Sequence, residues 1–100
     1  MGTRFLRHFF EPHSVAVIGA SEKPHSMGGM VLGNLLEAGF PGALWAVNPR
    51  GYATVHGVSC VRRIGDLPAI PDLAILCNPV EGVPRSIEAL GKLGVRAALV

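Results

Sequence analysis

Ser21, Lys23 and Ser26 stand between a lone glycine, Gly19, and a glycine pair, Gly28–Gly29, in the stretch SVAVIGASEKPHSMGG from Ser14 to Gly29. Hydroxyls, an ammonium group and bare backbone amides are the donors that hold a phosphate. Gly19 permits a tight turn directly after an apolar run. Gly28 and Gly29 remove side chains where a helix begins, and the free N–H groups and positive dipole end of that helix attract an anion. The spacing is not G-x-G-x-x-G, because Gly19 and the Gly28–Gly29 pair enclose a longer loop than the usual dinucleotide turn. Packing alone is the competing explanation. It is the one expected for Gly33, inside the helix, whereas ligand contact is expected for Gly19, Ser21 and Gly28.

A second group follows in AVNPRG, where Asn48 is neutral and Arg50 cationic. Sites for NAD usually carry Asp or Glu here to take the ribose hydroxyls. A guanidinium instead suits a ribose phosphate, which its paired N–H donors can clamp. NADP, with a 2′-phosphate, and coenzyme A (CoA), with a 3′-phosphate, both satisfy this requirement, and charge alone does not separate them.

The remaining reactive side chains form no catalytic or metal set. His8, His13, His25 and His56 share no metal-ligand spacing and read as surface or turn residues. Cys60 and Cys77 lie far apart without a C-x-x-C, which points to reduced thiols rather than a disulfide or zinc site. Cys77 has no evident base beside it and reads as a wall or core thiol. Glu81 suits a favourable contact with a helix start. Asp66 reads as a helix cap, Asp72 as the turn into a strand and Trp45 as core.

These residues need elements to position them. Val15–Ile18, Leu44–Val47 and Leu73–Cys77 read as three strands, the first two buried, and Ala97–Val100 reads as a fourth strand. A helix is expected from Met27 to Ala38, with Met27, Val31 and Leu35 on one stripe and Gly39 as its stop. A second is expected where Val83, Ile87, Leu90 and Leu93 recur, with Pro84 in its first turn and Gly94 at its end. The stretch GYATVHGVSCVRRIGDLPAIP is too broken for a crossover helix. It should hold a short extended piece at Thr54–His56 and a helical turn near Asp66. The pattern predicts an α/β, Rossmann-like, doubly wound parallel sheet of order 2-1-3-4. Ligands then sit where the order switches, between the first and third strands. The fourth strand would lack a covering helix, so the chain is expected to be a fragment of a longer protein, with residues 1–100 forming one module. Phe9 and Phe10 are expected to cover a sheet edge.

Composition narrows the function. One hundred residues allow one small core, and a formal charge of +2 with scattered Lys and Arg gives no basis for a nucleic-acid or membrane partner. No apolar run nears the roughly 18 residues of a membrane span, and no signal peptide is apparent. A cytoplasmic location is the expectation.

From Phe9 to Val100 the chain resembles the CoA-binding domain that opens the NDP-forming acyl-CoA synthetases. That family includes the ADP-forming acetyl-CoA synthetases and is related to the succinyl-CoA synthetase α chain, and the module also heads certain bacterial protein lysine acetyltransferases. The resemblance is carried by SVAVIGAS, VNPR, DLP and PDLAIL. It implies that Gly19, Ala20, Ser21, Lys23, Ser26, Met27 and Gly28 meet the CoA phosphates. Val47, Asn48, Pro49 and Arg50 would hold the adenosine end and its phosphate, with Arg50 where the family commonly has Lys. Cys77, Asn78, Pro79 and Val80 would line the pantetheine path, with Val80 bulkier than the usual small residue. It implies that this segment is itself non-catalytic within an acid–thiol ligase of the ADP-forming acetate–CoA type. ATP, ADP and Mg would be confined to other domains or an ATP-grasp β subunit, and the full-length protein would be oligomeric. A CoA- or nucleotide-sensing domain of a lysine acetyltransferase, and an NADP-binding oxidoreductase domain, are the alternatives.

Overall fold

The computed structural model describes residues 12–100. His8, Phe9 and Phe10, with the expected cover over the sheet edge, lie outside the described residues. Strand β1 (Ser14–Ile18) is the centre of the sheet. It is a β-branched run with neighbours on both sides and helices over both faces, so every residue from Val15 to Ile18 is buried. It pairs in parallel with β2 (Ala43–Val47) on one side and β5 (Leu73–Leu76) on the other. Helix α1 (Met27–Glu37) makes the first crossover, and α2 (Val83–Leu93) leads from β5 to the edge strand β6 (Ala98–Leu99).

Alternation along β1 divides the core. Val15 and Val17 point to a cluster that includes Leu32 of α1, while Ala16 and Ile18 point to one that includes Leu90 of α2. Both helices end just before left-handed glycines, Gly39 and Gly94.

The fold class is as expected, but the strand order differs in detail. The run β2-β1-β5-β6 continues beyond β2 into two further strands, giving β3-β4-β2-β1-β5-β6. β3 (Thr54–Val55) and β4 (Val58–Val61) form an antiparallel hairpin. Its two-residue turn has positive φ at both His56 (51°) and Gly57 (80°), the conformation whose twist matches a hairpin. β4 then pairs in parallel with β2, Ala46 opposite Cys60 and Val47 opposite Val61. The extended piece at Thr54 was anticipated from sequence; its partner was not, because His-Gly is a weaker hairpin signal than Asn-Gly or Asp-Gly.

Three local expectations are corrected. The buried face of α1 is Gly28, Gly29 and Leu32, flanked by half-buried Val31 and Leu35, while Met27 is 63% exposed. The first turn of the helix meets the loop after β1 through bare backbone at Gly28 and Gly29, which turns the contact face away from Met27. Asp66 does not cap a helix: it closes a 3-10 turn, Ile64–Asp66, and pairs with Arg63 at 3.6 Å. Gly33 was expected to be packed closely, yet a Cβ there would meet no atom within 4 Å.

A glycine in a helix interior with open space beside it lowers stability through backbone entropy alone. Gly33→Ala should therefore raise stability by about 0.5–1 kcal/mol in denaturant or thermal unfolding. A loss of stability would show that Gly33 is in contact after all.

Candidate functional site

The chain leaves β1 through a narrow passage. Gly19 has φ of 90°, and its N–H donates to the Val47 carbonyl at 2.7 Å. A Cβ on Gly19 would lie 2.9 Å from the Asn78 nitrogen, so the turn is wedged between the ends of β2 and β5. The start of α1 presses on the same turn: a Cβ on Gly28 would lie 2.6 Å from the Gly19 carbonyl oxygen, and one on Gly29 would overlap the Ser21 carbonyl. These glycines thus have a packing requirement of their own.

Both serines of the loop order it. The Ser21 hydroxyl accepts from the Lys23 N–H at 3.0 Å, and the Ser26 hydroxyl caps α1 by accepting from the Gly29 N–H at 3.0 Å. As acceptors, each hydroxyl keeps its own hydrogen to donate. One of the helix N–H groups that could meet an anion is therefore already satisfied by Ser26.

Asn48 ties the turns together. It is 8% exposed; its Nδ2 donates to the Ala20 carbonyl at 2.9 Å, and its Oδ1 accepts from the Arg50 N–H at 2.9 Å. Its backbone N–H donates to the Val61 carbonyl at 2.9 Å, at the end of β4. One buried side chain and its own amide thus join the exits of β1, β2 and β4.

Outside these strand ends, on the α2 face, lies a crevice of about 1040 Å³. Of the residues singled out in the sequence, Gly19, Val47, Asn48, Pro49, Arg50, Asn78 and Pro79 line it together. Ala20, Ser21, Lys23, Ser26, Met27 and Gly28 form the loop and helix start beside it rather than its lining. Cys77 packs against the cluster on the α1 face, and Val80 is 82% exposed in the 3-10 turn that leads into α2.

Sequence reasoning gave no site role to Arg62, Arg63 and Asp66, which follow β4, or to Arg85 and Ser86 in α2, all of which line the crevice. Arg62 and Arg63 directly follow the strand VSCV, which is too short and too polar to be recognised from sequence. Among the described residues, the lining carries Arg50, Arg62, Arg63 and Arg85 against one carboxylate, Asp66, a field suited to a polyanion. Asn78 adds a polar feature: its Nδ2 donates to the Ser86 hydroxyl at 2.9 Å, while its buried Oδ1 has no partner among the described residues. An amide N–H from a ligand would satisfy that acceptor.

Burial pushes the thiols of both Cys60 and Cys77 above the ordinary value; for Cys60 a backbone hydrogen bond from Asn48 opposes the shift in part. Each is a neutral thiol at pH 7, a poor nucleophile. Among the described residues, no group of three or more His, Cys, Asp or Glu is placed to hold a metal ion, and no helix is long and apolar enough to cross a membrane.

A doubly wound parallel sheet with a cationic crevice outside the carboxyl ends of its central strands, beside a glycine-rich first turn, is a nucleotide-binding architecture. The chain belongs to the CoA binding domain family, whose sequence pattern matches residues 13–100. It is 35% identical over 94 residues to the α subunit of an ADP-forming acetate–CoA ligase of Pyrococcus furiosus, covering 91% of this chain and 20% of that one. It is 34% identical over 95 residues to the ADP-forming acetate–CoA ligase of Methanocaldococcus jannaschii, covering 95% of this chain and 13% of that one. The solved dinucleotide forming acetyl-coenzyme A synthetase 1 of Ca. Korarchaeum cryptofilum, in complex with phosphate and ADP, superposes with a TM-score of 0.90 at 36% identity. That match covers 95% of this chain and 20% of the synthetase. The chain thus spans a fifth or less of the length of these relatives.

Two outcomes check this geometry. Asn48→Ala strands the Ala20 carbonyl and the Arg50 N–H and should cost about 2–3 kcal/mol, read from unfolding curves; a change near zero would show that the bridge holds nothing. Alkylation of Cys60 and Cys77 in the folded chain should be slow at pH 7 and accelerate as pH rises past the ordinary thiol value, because the folded state favours the neutral form. A rate that levels off near neutral pH would mean that a thiolate is stabilised.

Proposed function

We propose that the chain holds the nucleotide half of CoA in the crevice and presents the thiol to chemistry carried out elsewhere in a larger acid–thiol ligase. Membership of the CoA binding domain family supports the ligand. The single observation that carries the placement is the arginine-rich lining at the ends of β1, β2, β4 and β5. The polar groups fit CoA: guanidinium donors for its phosphates, and Asn78 Oδ1, an acceptor without a partner among the described residues, for an amide N–H of its pantetheine arm. In this reading the loop from Gly19 to Gly28, with Ala20, Ser21, Lys23, Ser26 and Met27, faces the pyrophosphate. Val47, Asn48, Pro49 and Arg50 take the adenosine end with its 3′-phosphate, and Cys77, Asn78, Pro79 and Val80 follow the pantetheine.

The parent activity proposed is ADP-forming joining of a carboxylic acid to CoA, as the names of the relatives state for those proteins. ATP, ADP and Mg would be handled by other domains or by a β subunit, in a cytoplasmic oligomer.

Calorimetric titration of the chain with CoA, dephospho-CoA and NADPH tests the reading. CoA should bind more tightly than either of the others. Arg50→Ala should weaken CoA by about tenfold, the worth of a charged hydrogen-bond pair, and dephospho-CoA much less. Equal weakening of both would remove the phosphate role of Arg50, and NADPH binding as tight as CoA would favour the oxidoreductase alternative.

A further inference from the structure

Arg62 is the first residue past β4, and β4 runs parallel to β2 with Val61 opposite Val47. The register therefore delivers Arg62 to the end of β2, beside the turn from Asn48 to Gly51. Its guanidinium lies against Gly51: a Cβ on that glycine would sit 2.6 Å from Nη2 and 2.9 Å from both Cζ and Nε. The Arg62 guanidinium therefore packs directly against the turn at Gly51, in space that a side chain there would fill. The turn itself is fixed, because the Arg50 N–H donates to Asn48 Oδ1 and the Gly51 N–H points to the Asn48 carbonyl at 3.4 Å.

The two cations therefore line one crevice. Arg63 is paired with Asp66 at 3.6 Å, but neither Arg50 nor Arg62 has a carboxylate partner among the described residues. Two like charges lining one crevice disfavour each other, and an anion bound there relieves that repulsion. Packing against Gly51 also restricts the Arg62 side chain before any ligand arrives, which lowers the ordering cost of binding.

We propose that Arg62 is a specificity-determining residue, a second guanidinium that closes with Arg50 on the ribose phosphate of CoA. The proposal rests on the CoA reading of the crevice. Arg50 supplies a cation from the loop after β2, and Arg62 supplies another across Gly51. The phosphate monoester is held between them, and a ligand lacking it leaves both cations unmatched.

The test is titration calorimetry on the whole chain, comparing wild type, Arg62→Ala and Arg62→Lys with CoA and dephospho-CoA. Arg62→Ala should raise the Kd for CoA about tenfold or more while leaving that for dephospho-CoA within about threefold, since only the former loses a charge-assisted contact. Arg62→Lys should recover part of the CoA affinity, because it restores charge but not the planar fork. The CoA-to-dephospho-CoA ratio is the readout, and a general loss of folding would not change it selectively. An unchanged ratio in Arg62→Ala, with wild type still preferring CoA, overturns the role of Arg62 and leaves the CoA reading standing. A wild-type chain that binds no CoA overturns the CoA reading, and the proposal with it.

Discussion

The site depends on the buried amide of Asn48. An Asn side chain can donate and accept at once, and here it does both across segments far apart in sequence: Nδ2 to the Ala20 carbonyl after β1, Oδ1 from the Arg50 N–H after β2. Neither Asp nor Leu at this position could satisfy both groups. With the Asn48 N–H also bonded to the Val61 carbonyl, the exits of three adjacent strands are held in one arrangement. The glycine-rich turn, the arginine turn and the hairpin strand cannot shift independently.

A cationic mouth is built on that frame by strand register. Parallel pairing puts the ends of β1, β2, β4 and β5 at one edge of the sheet, so residues just past each strand converge whatever their separation in sequence. The hairpin adds Arg62 and Arg63 to the edge where Arg50 already stands, and α2 brings Arg85 from the other side. The glycines at the first turn let α1 pack close to the same edge. This backbone approach keeps the loop from Ala20 to Gly28 beside the crevice while its serines are engaged in ordering it.

The sheet was legible in the sequence where burial on both faces leaves an uninterrupted apolar run, as in VAVI, or where helical spacing is bounded by Pro84 and Gly94. It was not legible at β4, because VSCV is short, half-exposed and preceded by His-Gly, a pair that adopts the hairpin turn only at the cost of a left-handed histidine. Missing that strand hid Arg62 and Arg63, since nothing in a linear reading places them beside Arg50. Arg50 itself was readable, because a cation at the end of the second strand has a chemical meaning there. The glycines were recognised as a special turn, but sequence could not show how much of their role is backbone contact: that depends on the Gly28 and Gly29 faces meeting Gly19 and Ser21 in space. Asn48 stood out as a neutral residue where a carboxylate is common, and its bridging role emerged only with the fold.

A crystal structure of the chain grown with CoA is the most direct test of whether this edge is the binding site. The account predicts density for the 3′-phosphoadenosine between the turns that carry Arg50 and Arg62, with the pyrophosphate beside Gly19 and the pantetheine running toward Asn78. CoA bound at another surface, with this crevice empty and Asn48 still bridging its two turns, would contradict it.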